Sequence, residues 1–200
     1  MSSRKGTVVF FSALKKQLDE QIYKDYLEKY EGKWSREEID EAVHLISVAT
    51  IKYGMLNHDT NKDIVFELSA WSAKTGDTGP YIMYAYARIR SILREVVVDK
   101  ALRDNADVSL LNNPKERLLL GMMNDLWLKV EEAGSRHNPS PLCGHLYKLA
   151  SNFNSWYEGN NIKALESKEL QAAKLNFVEA LGEVIKAGLK CLGISTLERM

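Results

Sequence analysis

Apolar residues recur every three or four positions along most of this chain, which is the spacing of one face of an α-helix. The clearest repeat follows the segment 76–80, where Asp77 or Thr78 can cap a helix and Pro80 suits its first turn. We expect the rest of the fold to be organised around this helix. Its predicted inward face consists of Ile82, Ala85, Ile89, Ile92 and Val96.

The same spacing predicts five further helices, separated by turn-forming or glycine-containing breaks. Ser35 and Glu38 form a capping box at the start of one of them. For the helix that begins at Asn113, the spacing places Leu118, Met122, Leu126 and Val130 inward, and we interpret Trp127 and Trp156 as packing residues. The chain is therefore predicted to be an all-α helical bundle with a short extended segment at its N-terminus. The five helices are predicted from Phe11 to Tyr30, from Ser35 to about Asn57, from Asn113 to Gly134, from Ser140 to Gly159 and from about Ser167 to Gly193.

A second stripe on the central helix consists of Tyr81, Tyr84 and Arg88, roughly a quarter-turn from the inward face. Aromatic rings beside a guanidinium form a surface on which unstacked nucleic-acid bases can lie, since every base has a π-face. The tyrosines could instead bury their rings and keep only the hydroxyls in water. The spacing by itself leaves both interpretations open.

Composition limits the partners. The chain has 27 basic and 27 acidic residues, so its net charge of +0 gives no overall attraction for nucleic acid, and we expect no DNA partner. Residues 81–103 are locally basic, with five arginines and lysines against two acids, which confines any RNA contact to this region. No apolar run approaches the ~20 residues that cross a bilayer. We therefore expect a cytoplasmic protein without a membrane partner.

The two cysteines, Cys143 and Cys191, lie in apolar helical patterns and are expected to be buried and reduced. Cys143 and His145 are the nearest approach to a pair of metal ligands. Because no second cluster of cysteine and histidine accompanies them, we predict no metal site.

Segment 79–92 (Gly-Pro-Tyr-Ile-Met-Tyr-Ala-Tyr-Ala-Arg-Ile-Arg-Ser-Ile) resembles the Thr-Gly-Pro-Tyr-x-x-Tyr-Ala-x-x-Arg signature of the class I arginyl-tRNA synthetases. In that family the signature opens a helical anticodon-binding domain. Four other segments resemble the family as well, so the resemblance spans the chain. They are Ala49-Thr-Ile-Lys-Tyr53, Asp63-Ile-Val-Phe66, the stretch 142–150 and the stretch 192–200, which ends in Glu-Arg-Met.

The resemblance implies that Tyr81, Tyr84, Arg88 and Met200 touch anticodon bases of tRNA(Arg), with the tail carrying Met200 packed back beside the stripe. Leu197 replaces a proline of the family, which makes the approach of the tail less rigid. It also implies two domains: residues 1–75 would hold the end of the catalytic region and connecting helices, and residues 76–200 the anticodon-binding domain.

The first six residues, Met-Ser-Ser-Arg-Lys-Gly, resemble the Lys-Met-Ser-Lys-Ser loop of class I synthetases in its arginyl form. By this resemblance Ser2, Arg4 and Lys5 are catalytic residues that contact ATP, with its Mg²⁺, in the complete enzyme. Ser3 stands where the general motif has its second lysine. The His-x-Gly-His element and the nucleotide-binding fold of the family would lie upstream. We therefore expect a fragment that is inactive alone, binds no cofactor tightly and needs the N-terminal catalytic half as a partner.

Two functions follow from these observations. The first is RNA recognition, as the C-terminal part of an arginine–tRNA ligase that binds the anticodon loop of tRNA(Arg). The second is a catalytically inactive helical module, derived from the same fold, that binds another protein.

Overall fold

The computed structural model describes residues 10–200, and within them the chain forms eight α-helices and no strand. The predicted all-α bundle is confirmed, while the predicted extended N-terminal segment lies outside the described residues. A π-helical turn, Tyr23–Leu27, and three 3₁₀ turns, Glu28–Tyr30, Val108–Leu110 and Ile162–Ala164, connect the helices. The helices are α1 (Phe11–Ile22), α2 (Arg36–Leu56), α3 (Leu68–Trp71), α4 (Gly79–Glu95), α5 (Lys100–Asp104), α6 (Pro114–Ser135), α7 (Ser140–Glu158) and α8 (Lys168–Cys191).

The first predicted helix is confirmed in its bounds, but only Phe11–Ile22 is α-helical, and the chain continues to Tyr30 as the π-helical and 3₁₀ turns. A π-helical turn holds one residue more than an α-helical turn. Here the neighbouring residues Tyr26 and Leu27 are both buried. The chain turns after this segment at Gly32, whose φ of 73° is positive.

The capping box that starts α2 is confirmed. The Ser35 hydroxyl accepts a hydrogen bond from the Glu38 backbone N–H at 3.2 Å, and the Glu38 carboxylate accepts one from the Ser35 N–H at 2.9 Å. Both bonds satisfy donors that a helix start leaves free. Ile39, Ile46 and Tyr53 on this helix are buried, and α2 packs against α1 and α4.

Helix α4 lies at the centre of the bundle, in contact with α2, α7 and α8. Thr78 is its N-cap and accepts a hydrogen bond from the Tyr81 N–H at 3.2 Å. Asp77, the other candidate cap, instead accepts hydrogen bonds from the Tyr53 hydroxyl at 2.5 Å and from Asn57 at 3.0 Å, which tie the end of α2 to the start of α4. The predicted inward face is confirmed, and its members are Ile82, Ala85, Ile89, Ile92 and Val96.

Helices α2 and α4 meet at Gly79. A Cβ atom on this residue would lie 2.6 Å from the Ala49 carbonyl oxygen and 2.9 Å from the Tyr53 Cβ, so only glycine allows the two backbones to come this close. The start of α4 is therefore fixed against the side of α2, with its tyrosine stripe pointing away from that contact.

The predicted inward face of α6 is wrong at its beginning. Leu118 is 50% exposed, while its neighbour Leu119 is fully buried. At this end of the helix Glu116, which is 1% exposed, turns inward and pairs with Lys174 on α8. The other three predicted inward residues, Met122, Leu126 and Val130, pack against the core, whereas Trp127, interpreted above as a packing residue, is 71% exposed.

The last two helices follow the predicted pattern with small changes. Ser140 is the first residue of α7 and does not cap it. The Asn138 side chain instead accepts a hydrogen bond from the Ser140 N–H at 3.1 Å. The predicted start of α8 near Ser167 is confirmed, and the Ser167 hydroxyl caps the helix by accepting a hydrogen bond from the Leu170 N–H at 3.1 Å. Cys143 is buried and burial raises the pKa of its thiol to about 12, but Cys191 is exposed, against our expectation.

One contiguous hydrophobic core contains residues from both sides of position 75, including Tyr53 on α2 and Ile82 on α4. The division into residues 1–75 and 76–200 stays a prediction. Among the described residues, no helix combines the length and the apolar character needed to cross a lipid bilayer.

Candidate nucleic-acid interface

A surface cavity of about 330 Å³ lies where α4, α7, the segment before α2 and the C-terminal tail meet. We call it the tail pocket. Four aromatic rings and three guanidinium groups line it, together with Met200 and a single acid, Glu95. The pocket is therefore both aromatic and cationic. Its aromatic residues are Tyr30, Trp34, Tyr84 and Tyr157, and its arginines are Arg88, Arg94 and Arg199.

Arg88 is held in place by α4 and α7. Its guanidinium donates hydrogen bonds to Asn154 Oδ1 at 2.7 Å and to the Tyr84 hydroxyl at 3.2 Å. The guanidinium carbon lies 4.8 Å from the centre of the Tyr84 ring and 5.3 Å from that of Tyr157, within the range of cation–π attraction. A half-buried cation is thus fixed between two rings at the edge of the cavity.

The predicted tyrosine stripe is divided. Tyr84 is 38% exposed and lines the tail pocket, whereas Tyr81 does not line it. The ring of Tyr81 is partly covered by α7 and lies 5.7 Å from the ring of Tyr147, centre to centre. One turn of helix separates the two tyrosines, and α7 packs against the first of them. The structure therefore brings Tyr84, Arg88 and Met200 together and leaves Tyr81 one turn away.

The C-terminal tail returns to this stripe. The Met200 side chain lines the tail pocket and the residue is 8% exposed, while its carbonyl oxygen accepts a hydrogen bond from the Tyr30 hydroxyl at 3.1 Å. Arg199 lies over the Trp34 ring at 4.5 Å and pairs with Glu38 on α2. The last two residues are thus bound to the segment that leads into α2.

Glu198 fastens the tail to α4. Its carboxylate accepts hydrogen bonds from Arg90 Nε at 2.6 Å and from the Tyr86 hydroxyl at 3.1 Å, and its carbonyl oxygen accepts one from Arg94 at 2.8 Å. Partial burial alone would raise the pKa of the Glu198 carboxyl, but the bonds from Arg90 and Tyr86 hold that pKa below its usual value. The tail therefore connects α4 to the start of α2 across the mouth of the pocket.

The sequence analysis missed the residues that α7 and the segment before α2 contribute. Asn154 and Tyr157 are three residues apart on α7 and therefore share a helix face, which the sequence could have shown. Tyr30 and Trp34 stack with ring centres 4.3 Å apart, but nothing in the sequence links them to Met200. The predicted catalytic residues Ser2, Arg4 and Lys5 lie outside the described residues.

Comparison with known proteins identifies relatives of the chain. A family model described as the DALR anticodon binding domain matches residues 82–200. Over 200 residues the chain is 35% identical to the arginine–tRNA ligase of Bdellovibrio bacteriovorus, a match that covers all of this chain and 34% of that protein. It is 31% identical to the arginine–tRNA ligase of Phocaeicola vulgatus, covering 33% of that protein. The chain thus spans about a third of the length of these curated relatives.

Solved structures agree with this comparison. The chain superposes on the arginyl-tRNA synthetase of Thermus thermophilus with a TM-score of 0.86 at 27% identity, over all of this chain and 33% of that one. The arginyl-tRNA synthetase of Plasmodium falciparum gives a TM-score of 0.82 at 24% identity, which supports the fold alone.

Proposed function

The chain belongs to the family of DALR anticodon-binding domains and corresponds to the C-terminal region of arginyl-tRNA synthetases, and from this premise we propose that its tail pocket binds the anticodon loop of tRNA(Arg). The observation that carries the proposal is Arg88, fixed between the rings of Tyr84 and Tyr157 beside Met200. Anticodon bases that leave their stack need a flat surface and donors for their edges.

The chemistry of the pocket suits one unstacked base. The Tyr84 and Tyr157 rings offer π-faces, and the guanidinium of Arg88 offers N–H donors to a base edge or a phosphate. Met200 adds a polarisable side chain that can adapt to the base against it. Because the whole chain carries no net charge, most of the affinity is expected from stacking and base-edge contacts and little from long-range attraction.

The direct test is titration of the chain with the anticodon stem-loop of an arginine tRNA and with stem-loops in which each anticodon base is replaced in turn. We expect binding to the natural loop and a loss of affinity of roughly tenfold or more at one or two positions. Equal affinity for every loop, or no binding at all, would contradict the proposal.

A second proposed partner is the catalytic region that the longer relatives carry. An apolar groove of about 550 Å³ runs between α1, the end of α2 and the segment 64–71. Its walls include Val65, Phe11 and Met55, which are 80%, 65% and 53% exposed. An exposed apolar surface of this kind marks a protein contact. We propose that the catalytic region of an arginyl-tRNA synthetase packs here, and that Ser2, Arg4 and Lys5 contact ATP and Mg²⁺ in the complete enzyme.

The groove can be tested with Val65→Glu, which places a charge on its exposed wall. We expect this variant to weaken binding to the remaining two-thirds of the Bdellovibrio bacteriovorus enzyme by roughly tenfold or more, measured by calorimetry, because the carboxylate would be desolvated on docking. The matched control is Val97→Glu, at a residue that is 85% exposed and lies outside the groove. Equal affinity of both variants would place the contact elsewhere.

Glu198 offers a test of the tail. Glu198→Ala removes the bonds to Arg90 and Tyr86, frees the backbone around Met200 and is expected to weaken stem-loop binding by roughly three- to tenfold. The control is Glu179→Ala, which removes a similar bond to Arg103, 2.5 Å long, away from the pocket. An equal loss of affinity in both variants would show a general effect of charge and no role of the tail.

A further inference from the structure

A second cavity, of about 250 Å³, lies on the other side of Tyr84 and Met200 from the tail pocket. Both residues line both cavities, so they form a common wall. The remaining lining residues are Tyr26, Lys29 and Lys74, and we call this cavity the lysine pocket. Unlike the tail pocket, it has no acidic residue in its lining among the described part of the chain.

The two lysines are placed by aromatic rings. Lys29 Nζ lies 4.8 Å from the centre of the Tyr30 ring, and Lys74 Nζ lies 4.9 Å from that of Tyr26. Neither forms an ion pair within residues 10–200; Lys74 donates to the backbone carbonyl of Asp25. Two exposed ammonium groups therefore flank one cavity, and no carboxylate in the lining of that cavity balances their charge.

The tyrosine at the base of the lysine pocket is neutral. The Tyr26 hydroxyl donates a hydrogen bond to the Ser72 carbonyl at 2.7 Å, and burial raises its pKa. The acids next to the lining residues along the chain are Glu28 and Asp25, whose carboxylate accepts a hydrogen bond from Gln21 at 2.5 Å, and neither acid is part of the lining. The cavity is thus cationic, and a compact anion is the ligand it fits.

We propose that the lysine pocket binds a backbone phosphate of the same RNA strand whose base occupies the tail pocket. This rests on the function proposed above. A strand that places a base against one side of Tyr84 and Met200 carries its neighbouring phosphodiester past the same wall. A lysine ammonium is a compact charge with rotatable donors, which suits a phosphate that needs positioning but carries no sequence information.

The test uses Lys29→Gln, Lys74→Gln and the double variant, which replace each charged side chain with a neutral polar one. We expect the double variant to lose roughly three- to tenfold in stem-loop affinity at low salt. The slope of the logarithm of the binding constant against the logarithm of the salt concentration is negative. Its magnitude should decrease by about 0.7 for each phosphate that the variant no longer neutralises. Discrimination between anticodons should be unchanged. The control is Lys163→Gln, at an exposed lysine that lines neither cavity.

A second measurement identifies the phosphate. Stem-loops with a single neutral methylphosphonate at each loop position are titrated against the wild-type chain and the double variant. We expect a methylphosphonate at one or two positions to lower the affinity of the wild-type chain and to have no further effect on the affinity of the double variant. The inference would be overturned if the methylphosphonates lowered the affinity of both proteins at the same positions, or lowered it at no position. The lysines would then bind at most a free phosphate.

The outcomes separate this inference from the proposed function. A wild-type chain that binds no stem-loop would end both. A wild-type chain that discriminates between anticodons, with a double variant of identical salt slope, would refute the lysine pocket alone.

Discussion

Replacing Arg88 with alanine is expected to lower the affinity for the anticodon stem-loop of an arginine tRNA by roughly one to two orders of magnitude. The substitution removes a cation that lies against two rings and that holds Tyr84 and Asn154 by hydrogen bonds. Fluorescence titration at two salt concentrations measures the decrease. Arg136→Ala is the control, since Arg136 is an exposed arginine that lines neither cavity.

The form of the decrease shows what Arg88 contacts. If the guanidinium neutralises a phosphate, the variant should show a weaker salt dependence of binding and an equal loss of affinity for every anticodon. If it contacts a base edge, the variant should lose its discrimination at one anticodon position. Wild-type affinity of Arg88→Ala would exclude the tail pocket as the RNA surface.

The two tyrosines of the stripe extend this comparison. Tyr84→Ala removes a wall of the tail pocket and should cost roughly tenfold or more in affinity, whereas Tyr81→Ala removes a ring that α7 partly covers. A larger decrease for Tyr81→Ala would place the bound base one turn upstream on α4, nearer Tyr147. Tyr84→Phe keeps the ring and tests the hydroxyl that Arg88 contacts.

The largest effect on stability is expected from Glu116→Ala, which should lower the free energy of unfolding by about 3–5 kcal/mol. Glu116 is 1% exposed and lies 3.3 Å from Lys174, whose side chain is only 10% exposed. Its carboxylate also accepts hydrogen bonds from Trp156 Nε1 and from the Asn113 N–H, both at 3.1 Å. Alanine would leave the ammonium of Lys174 without a carboxylate partner, with only its hydrogen bond to Asn160 Oδ1 at 2.5 Å.

Urea unfolding followed by tryptophan fluorescence measures this change. Glu131→Ala, at an exposed acid on the same helix, is the control and should stay within about 0.5 kcal/mol of the wild type. Adding Lys174→Met to Glu116→Ala should recover part of the stability, because the unpaired charge is removed as well. A Glu116→Ala protein as stable as the wild type would show that the pair contributes nothing.

These two side chains also mark the limit of prediction from the sequence. The cap at Ser35, the pair Asp77 and Thr78 as candidate caps of α4, and the inward face of α4 depend on residues within a few positions of one another, so the sequence predicts them. The inward turn of Glu116 at the start of α6 depends on Lys174, which lies 58 positions beyond it and meets it only in the folded bundle. The apolar spacing could not show this pair, and it placed the exposed Leu118 inside.

The candidate site shows the same division. The spacing along α4 placed Tyr84 and Arg88 on one stripe, and the resemblance to the family added Met200; the structure places all three around the tail pocket. The separation of Tyr81 was not predictable from spacing, since it follows from the packing of α7 through Tyr147. Asn154, Tyr157 and the stacked pair before α2 reach the pocket only by tertiary packing.

The burial of Met200 has a practical consequence for handling the protein. The side chain of this residue is packed into the pocket wall, and its carbonyl is bound by Tyr30. A purification tag fused to Met200 would continue the backbone beside the pocket that we propose as the RNA site and would disturb the contact with Tyr30. Carboxypeptidase digestion should likewise be slow while the tail is seated and faster in Glu198→Ala. Binding assays therefore call for a tag at the other end of the chain.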